Sequence, residues 1–257
     1  MIKAAFFDVD GTLLSHRTKQ VSQSTRTALD KLKAAGVRCV VATGRQLGEM
    51  EKLPVADIAF DGYLTLNGQL LLDGNKQVLH GTPVIGASKE YLLKLFREKT
   101  IPILLVEQDR MCLNFVNDLV IQVQNAISSE VPPLGEYEGG EIYQVCAYLS
   151  DADQHLLDPI ADACEITRWN LGGVDIIAKG GGKVSGIRHY LEANGIRQEE
   201  TIAFGDGDND IEMLKFAGTG VAMGNAWDAV KEAADYITAG VDEDGIELAL
   251  RHFGLIE

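Results

Sequence analysis

The sequence predicts an α/β fold in which a doubly wound parallel sheet carries an inserted α+β domain. Strand and helix patterns alternate over 2–72 and again over 184–252, which is typical of a parallel sheet covered by helices. Between them, helices are followed by paired strands, an order that favours an open, partly antiparallel sheet. We therefore expect a core domain of 1–80 and 179–257, and an inserted domain of 81–178.

Apolar runs and turn residues define the elements of the first core segment. The run at 2–7 is apolar almost throughout and predicts a buried strand. A helix is expected at 24–35, where Leu29 and Leu32 mark its apolar side and Gly36 ends it. The other predicted elements are a strand at 37–42, a helix at 44–53, strands at 63–66 and 69–72, and a turn at 73–75.

The inserted segment begins after a glycine-proline break at 81–83. Ser88 is expected to cap a helix whose apolar residues include Leu92 and Phe96. Pro159 is expected to disturb a helix over 153–164. Further predicted elements are strands at 101–106, 111–115, 142–149, 165–169 and 174–178, and a helix at 119–127.

The second core segment returns to alternating helices and strands. Helices are expected at 184–193, 208–216, 226–234 and 243–252, and strands at 201–204, 220–222 and 235–237.

Charge and composition restrict the partners of the chain. The 257 residues carry a formal charge of −15, which repels nucleic acid and anionic lipid. No apolar run approaches the ~18 residues of a membrane-spanning helix, and the N-terminus leads directly into a strand, so we expect no membrane segment or signal peptide. Four widely spaced cysteines and five histidines match no zinc pattern, and we expect reduced thiols in the cytoplasm.

The most informative motif is Asp8-Val9-Asp10-Gly11-Thr12, at the end of the first predicted strand. Two carboxylates one residue apart point to the same side of an extended chain. Two such charges at ~4 Å repel by roughly 4 kcal/mol with an effective dielectric of ~20, so a cation between them is expected. A solvated acidic turn is the alternative for this motif taken alone.

Two further motifs are ambiguous when taken alone. Thr43-Gly44-Arg45 follows the second predicted strand and can bind an anion through its N–H groups, although a helix cap is the favoured explanation of this motif by itself. A triple glycine at 180–182 precedes Lys183 at a helix start, where a flexible linker is the alternative. This segment is not a Walker A loop, because Val184 replaces the required serine or threonine.

The stretch Gly205-Asp206-Gly207-Asp208-Asn209-Asp210 follows a strand and begins a helix. An EF-hand loop is excluded by Ile211 and Ala217, which occupy the positions of its glycine and bidentate glutamate. The glycine-rich run at 218–224 is interpreted as a tight strand connection, with nucleotide binding as the alternative.

In a parallel sheet the motifs at strand ends meet at one edge, where ligands bind. The assembled site would contain Asp8, Asp10, Asp206 and Asp210, together with Thr43, Lys183 and Asn209. Four carboxylates around an open crevice require a hard divalent cation, and oxygen ligands select Mg²⁺.

These motifs together resemble those of the haloacid dehalogenase (HAD) superfamily. The inserted domain, with Gly224-Asn225-Ala226 and Glu243-Asp244-Gly245, is similar to the Cof-type branch with a type IIB cap, and among its members to bacterial hexose-phosphate phosphatases. The resemblance covers essentially the whole chain and implies a Rossmann-like core. The triple glycine before Lys183 departs from the usual, less flexible pattern of the family.

The resemblance implies a Mg²⁺-dependent phosphatase that acts through an aspartyl-phosphate. Asp8 would be the nucleophile and Asp10 the general acid and base. Mg²⁺ would be held by Asp8, Asp206 and the backbone carbonyl of Asp10, with Asp210 as an anchor behind them. Phosphoryl oxygens would be bound by Thr43, the Gly44 N–H, Lys183 and Asn209, whereas Arg45 would either contact the substrate or lie on the surface.

A small phosphoester, expected to be a sugar phosphate, would be the substrate. Two alternatives stay open: a sugar phosphomutase that uses the same intermediate, and a sensor that binds phosphorylated ligands without turnover. The sequence indicates neither the physiological substrate nor the oligomeric state.

Overall fold

A computed structural model describes residues 1–127 and 129–257 of the chain. The chain forms two compact units, one of Met1–His80 with Gly182–Glu257 and one of Gly81–Gly181. The sequence-based limits of 81–178 for the inserted domain stay a prediction. Within the described ranges, no helix combines the length and apolarity needed to cross a bilayer.

The first core segment contains the buried β1 and the strands on one side of it. Its elements are β1 (Ala4–Phe7), α1 (Gln23–Ala34), β2 (Arg38–Ala42), α2 (Leu47–Met50), β3 (Gly62–Thr65), β4 (Leu70–Asp73) and β5 (Val78–Gly81). The Ser22 side chain caps α1 by accepting a hydrogen bond from the Thr25 N–H at 3.1 Å. Gly36 follows α1 with φ at +81°, a conformation that suits glycine at a helix end.

The inserted unit is built on an antiparallel sheet. Its elements are α3 (Gly86–Glu98), β6 (Ile103–Val106), β7 (Met111–Leu113), α4 (Asp118–Ala126), β8 (Gln144–Tyr148), a 3₁₀ helix (Asp151–Ile160), β9 (Cys164–Asn170) and β10 (Gly173–Ala178). The strand order is β7-β6-β8-β10-β9. One face of this sheet packs against α3 and the 3₁₀ helix, with Leu92, Phe96, Leu157 and Ile160 among the buried residues.

The second core segment completes the large sheet. It contains α5 (Gly182–Asn194), β11 (Thr201–Gly205), α6 (Ile211–Phe216), β12 (Thr219–Ala222), α7 (Asp228–Ala233), β13 (Tyr236–Ile237) and α8 (Gly245–His252). The strand order is β13-β12-β11-β1-β2-β3-β4-β5. The strands from β13 to β3 are parallel, whereas β4 runs antiparallel to β3. The predicted α/β class is therefore confirmed, with a mixed edge.

The connections on the two sides of β1 run in opposite directions along the sheet. From β1 the chain proceeds through β2 to β3, and after the insertion it proceeds from β11 through β12 to β13 on the other side. Such a reversal opens a crevice at the carboxyl ends of the central strands. The order of the strands therefore places β1, β2 and β11 around one potential binding site.

Several element predictions need correction. The helix expected at 44–53 is reduced to the single turn α2, because Gln46 is still extended, at φ −73° and ψ 151°. Ser88 does not cap α3: it is buried inside the helix, and Ile85 occupies the cap position. The helix expected at 153–164 is a 3₁₀ helix that ends at Ile160, one residue after Pro159.

Candidate active site

The strand ends bring the first and last motifs of the chain together. Asp8 directly follows β1, which pairs with β2 on one side and β11 on the other. Thr43 directly follows β2, and Asp206 directly follows β11. All three residues therefore lie at the same edge of the sheet, as the sequence predicts.

Lys183 forms the centre of a buried ion network. Its Nζ donates hydrogen bonds to Asp8 Oδ1 at 2.7 Å and to Asp210 Oδ1 at 2.6 Å. The three side chains are almost fully buried, at 2%, 9% and 0% exposure. Burial lowers the pKa of Lys183, but the charges of Asp210 and Asp8 outweigh this effect and raise it above its ordinary value. The lysine therefore stays charged. It lies in the first turn of α5, at the helix start where the sequence predicts it.

Asp210 fixes the loop that follows β11. Its Oδ2 accepts hydrogen bonds from the N–H groups of Asp206 and Gly207, both at 3.0 Å, while Oδ1 binds Lys183. The Asp210 side chain packs closely against Gly205, where an added Cβ would lie 2.5 Å from Asp210 Cβ. Both oxygens of this carboxylate are thus engaged, which suits an anchor for the loop.

Asp206 is held by side chains from two other segments. Thr12 Oγ1 donates to Asp206 Oδ1 at 2.9 Å, and Asn225 Nδ2 donates to Asp206 Oδ2 at 3.1 Å. Asn225 Nδ2 also donates to the Gly11 carbonyl at 2.9 Å. Gly11 has φ at +84°, and an added Cβ would collide with the Asp206 carboxylate. Burial raises the pKa of Asp206 to about 6, and the Thr12 hydrogen bond opposes this rise.

The carboxylates of Asp8, Asp206 and Asp210 form one group, in which one oxygen from each lies within 4.8 Å of the others. Burial raises the pKa of Asp8 well above its ordinary value; Lys183 opposes the rise, and Asp210 and Asp206 add to it. One lysine cannot balance three acids. The group therefore fits a hard divalent cation such as Mg²⁺, because its donors are carboxylate oxygens.

Asp10 has a different partner. Arg45 Nε donates to Asp10 Oδ2 at 2.6 Å and Arg45 Nη2 donates to Asp10 Oδ1 at 2.8 Å, a bidentate ion pair. The hydrogen bond to Asp10 raises the pKa of Arg45. The group of carboxylates found among the described residues contains Asp210 and not Asp10; the ligand predicted from Asp10 is its backbone carbonyl, which does not belong to such a group. Arg45 contacts the general acid predicted from the sequence, which gives it a third role beside the two expected.

The predicted phosphate-binding residues lie on neighbouring loops. Thr43 is buried, and its Oγ1 accepts a hydrogen bond from the Arg45 N–H at 3.2 Å. Asn209 is exposed, and its Nδ2 donates to Asn67 Oδ1 at 3.0 Å. The side chain of Asn67 in turn lies against Gly44. Thr43, Gly44 and Asn209 are therefore connected through Asn67, whereas Lys183 contacts the carboxylates.

Three residues of this site were not given a role by the sequence. Thr12 belongs to the first motif, and Asn225 belongs to a motif used only for the resemblance; both are bound to Asp206. Asn67 stands in an Asn-Gly turn, which is a common turn signal without a functional meaning of its own. Position in a motif could have identified Thr12 and Asn225, but the partner of Asn67 is 142 residues away in sequence.

Comparisons with known proteins agree with this geometry. The family model of haloacid dehalogenase-like hydrolases matches residues 5–250. The Bacillus subtilis (strain 168) protein YkrA is 31% identical over 258 residues, covering 99% of each chain. Pyridoxal phosphate phosphatase YbhA of Escherichia coli (strain K12) is 30% identical, covering 93% of this chain and 94% of YbhA.

A solved structure shows the same fold. The HAD subclass IIB sugar phosphatase BT4131 superimposes with a TM-score of 0.84 at 36% identity, covering 99% of this chain and 100% of that one. The matched family and the shared fold, together with a strand-edge group of acids, lead to one conclusion: the chain belongs to the haloacid dehalogenase-like hydrolases, in their Cof-type branch, and is a phosphatase.

Proposed function

We propose that the chain is a Mg²⁺-dependent hydrolase of small phosphorylated metabolites, chiefly hexose phosphates, and that Asp8 accepts the phosphoryl group. The observation that carries this proposal is the group of three carboxylates around a single buried lysine. The sugar preference is supported by the 36% identity to a sugar phosphatase, which exceeds the 30% identity to a pyridoxal phosphate phosphatase.

Asp8 suits the role of nucleophile. Its Oδ1 accepts from Lys183, and no described residue donates a hydrogen bond to its Oδ2. That oxygen would attack phosphorus, forming the Asp8 O–P bond as the bond from phosphorus to the leaving oxygen breaks. Mg²⁺, held by Asp8, Asp206 and the Asp10 carbonyl, would neutralise phosphoryl charge and favour the ionised form of Asp8.

Asp10 would move the protons of both steps. In the first step its carboxylic acid gives a proton to the leaving alkoxide; in the second its carboxylate takes a proton from the water that attacks phosphorus and frees Asp8. In the structure both Asp10 oxygens bind Arg45. The remaining lone-pair positions of these oxygens would carry the transferred proton and face the leaving group.

Four groups would hold the phosphoryl oxygens during transfer. These are the Thr43 hydroxyl, the Gly44 N–H, the Lys183 ammonium and the Asn209 amide. Phosphoryl transfer depends chiefly on positioning and on charge stabilisation, so neutral donors and one buried cation meet its main requirements.

A phosphate-release assay on a panel of phosphorylated metabolites tests the proposal. Hexose phosphates should be hydrolysed with added Mg²⁺, and activity should disappear with a chelator and return with excess Mg²⁺. Absence of Mg²⁺-dependent release from every compound would refute the proposal. Hydrolysis confined to compounds other than sugar phosphates would refute the proposed substrate class but not the phosphatase activity. Isomerised product from a sugar bisphosphate would indicate a mutase instead.

A further inference from the structure

A turn beside the site has an unusual backbone. Leu66, Asn67 and Gly68 are consecutive and have φ values of 53°, 55° and 81°. This left-handed region favours glycine, and a leucine is rarely found there. Strained backbone persists only where its surroundings hold it, and it concentrates at functional sites.

Backbone hydrogen bonds fasten this turn to the segment of Thr43 and Arg45. The Asn67 N–H donates to the Thr43 carbonyl at 2.9 Å, and the Leu66 N–H donates to the Arg45 carbonyl at 3.1 Å. The turn and the second motif therefore form one rigid unit at the end of β2.

The two other phosphate-binding groups contact the same turn. Asn67 Oδ1 accepts the hydrogen bond from Asn209, on the loop after β11. Gly68 lies directly against the start of α5, because an added Cβ would lie 2.9 Å from the Lys183 Cα and 2.5 Å from the Gly182 carbonyl oxygen. Gly44 also lies against the turn, since its added Cβ would lie 3.2 Å from Asn67 Oδ1.

We propose that the turn of Leu66–Gly68 sets the spacing of the phosphate-binding groups, and that Asn67 is a positioning residue that orients the Asn209 amide. The inference rests on the proposed phosphatase site, because it assumes that Asn209 binds a phosphoryl oxygen. The side-chain oxygen of Asn67 accepts a hydrogen bond from one N–H of the Asn209 amide. Because the amide is planar, this bond also sets the direction of the second N–H, which is the one proposed to bind phosphate. Asparagine suits this task, since it tolerates a positive φ and carries an acceptor.

The test is a double-mutant cycle on the full-length protein with Mg²⁺. Asn67→Gly removes the side chain, and glycine adopts the positive φ of this position without strain. The melting temperature of the variant should therefore stay within about 2 °C of that of the wild type. Its kcat/KM for p-nitrophenyl phosphate should fall about 10-fold, as expected for one lost orienting hydrogen bond. Lys19→Gly is the matched control: Lys19 is exposed, has φ at 56° and lies outside the site. It should keep the wild-type rate.

The second arm distinguishes positioning from a general structural effect. If Asn67 acts through Asn209, the variant that combines Asn67→Gly with Asn209→Ala should lose no more than Asn209→Ala alone, within about threefold. Losses that multiply would overturn the inference, and so would wild-type kcat/KM in Asn67→Gly.

Binding of inorganic phosphate to the Mg²⁺-loaded protein, measured by calorimetry, supplies a readout without turnover. Asn67→Gly and Asn209→Ala should each weaken phosphate binding, and the combined variant should bind no more weakly than Asn209→Ala alone. If the wild type binds phosphate with this coupling but hydrolyses nothing, the proposed function fails and the inference stands. If phosphate binding is unchanged in Asn67→Gly, the inference fails whatever the activity.

Discussion

The two units of the chain bury different kinds of polar group. In the core unit, Asp8, Lys183 and Asp210 are buried as charges at the edge of the sheet. In the described part of 81–181, the buried polar side chains are neutral, and Asn114 is a clear example. Its Oδ1 accepts from the N–H groups of Ile103 and Phe115, and its Nδ2 donates to the carbonyls of Phe96 and Ile101.

This difference separates stabilising polar groups from chemically active ones. A buried amide that pairs with backbone groups removes unsatisfied donors and acceptors and adds stability. Burying carboxylates costs free energy and raises the pKa values of Asp8 and Asp206, and the charges of neighbouring acids add to the rise. Substitutions in the core network should therefore change chemistry, with or without a change in stability, whereas those in the inserted unit should change stability alone.

The largest expected effect is that of Asp8→Asn. It should lower kcat at least about 10⁴-fold, because an amide cannot form the acyl-phosphate. The melting temperature without metal should not fall, since one of three crowded acids becomes neutral while an oxygen remains for Lys183. Kinetics and thermal unfolding measure both; a variant with wild-type kcat would contradict the covalent route.

Lys183→Met should damage both chemistry and stability. It leaves Asp8 and Asp210 without their cation, which should cost about 3–5 kcal/mol of unfolding free energy, and kcat should fall about 10³-fold. Urea denaturation of the variant and of its combination with Asp8→Asn checks the cause. If the combination does not recover part of the lost stability, unpaired carboxylates are not the reason.

Asn114→Ala is the counterpart in the inserted unit. It removes four hydrogen bonds from buried backbone groups and should destabilise that unit by about 2–4 kcal/mol. Below the melting transition, kcat should stay within about threefold of the wild type, because no reacting atom is involved. If the folded Asn114→Ala variant loses much of its kcat, buried polar groups of the inserted unit also affect chemistry, and the contrast between the two units fails.

A smaller effect is expected from pH acting on Asp206 without metal. Its folded pKa of about 6 lies above the ordinary value, so the stability it contributes is present at about pH 4 and is lost as the pH rises through about 6. Asp206→Asn should therefore exceed the wild type in stability near pH 7.5 with chelator, with little difference near pH 4. Urea denaturation at the two pH values checks this. If Asp206→Asn is less stable than the wild type at both, the ionised Asp206 carboxylate does not destabilise the folded protein.

The sequence predicted the central strands and the edge at which Asp8, Thr43 and Asp206 meet, because apolar runs that end in polar motifs are local signals. It did not predict the shortness of α2 or the 3₁₀ helix that contains Pro159, since these depend on backbone geometry that the hydrophobic pattern does not specify. It missed β5, whose residues at 78–79 are exposed and lack an alternating pattern.

Within the site, the types of residue were predictable but their pairing was not. The sequence placed Asp10 and Asp210 in one site, but it did not predict that the Asp10 carboxylate pairs with Arg45 or that Asp210 pairs with Lys183. Partners of this kind are 27 to 175 residues apart along the chain and are defined only by folding.

The most direct test of the central claim is to trap the phosphorylated enzyme. Asp10→Asn should slow breakdown of the intermediate, because the base that activates water is lost, while p-nitrophenyl phosphate provides a leaving group that needs little protonation. After rapid acid quench with ³²P-labelled substrate and Mg²⁺, peptide mapping should place the label on the peptide that contains Asp8, and adding Asp8→Asn should remove it. Release of p-nitrophenol with no label on the protein, or a label that survives Asp8→Asn, would contradict the assignment of Asp8 as the nucleophile.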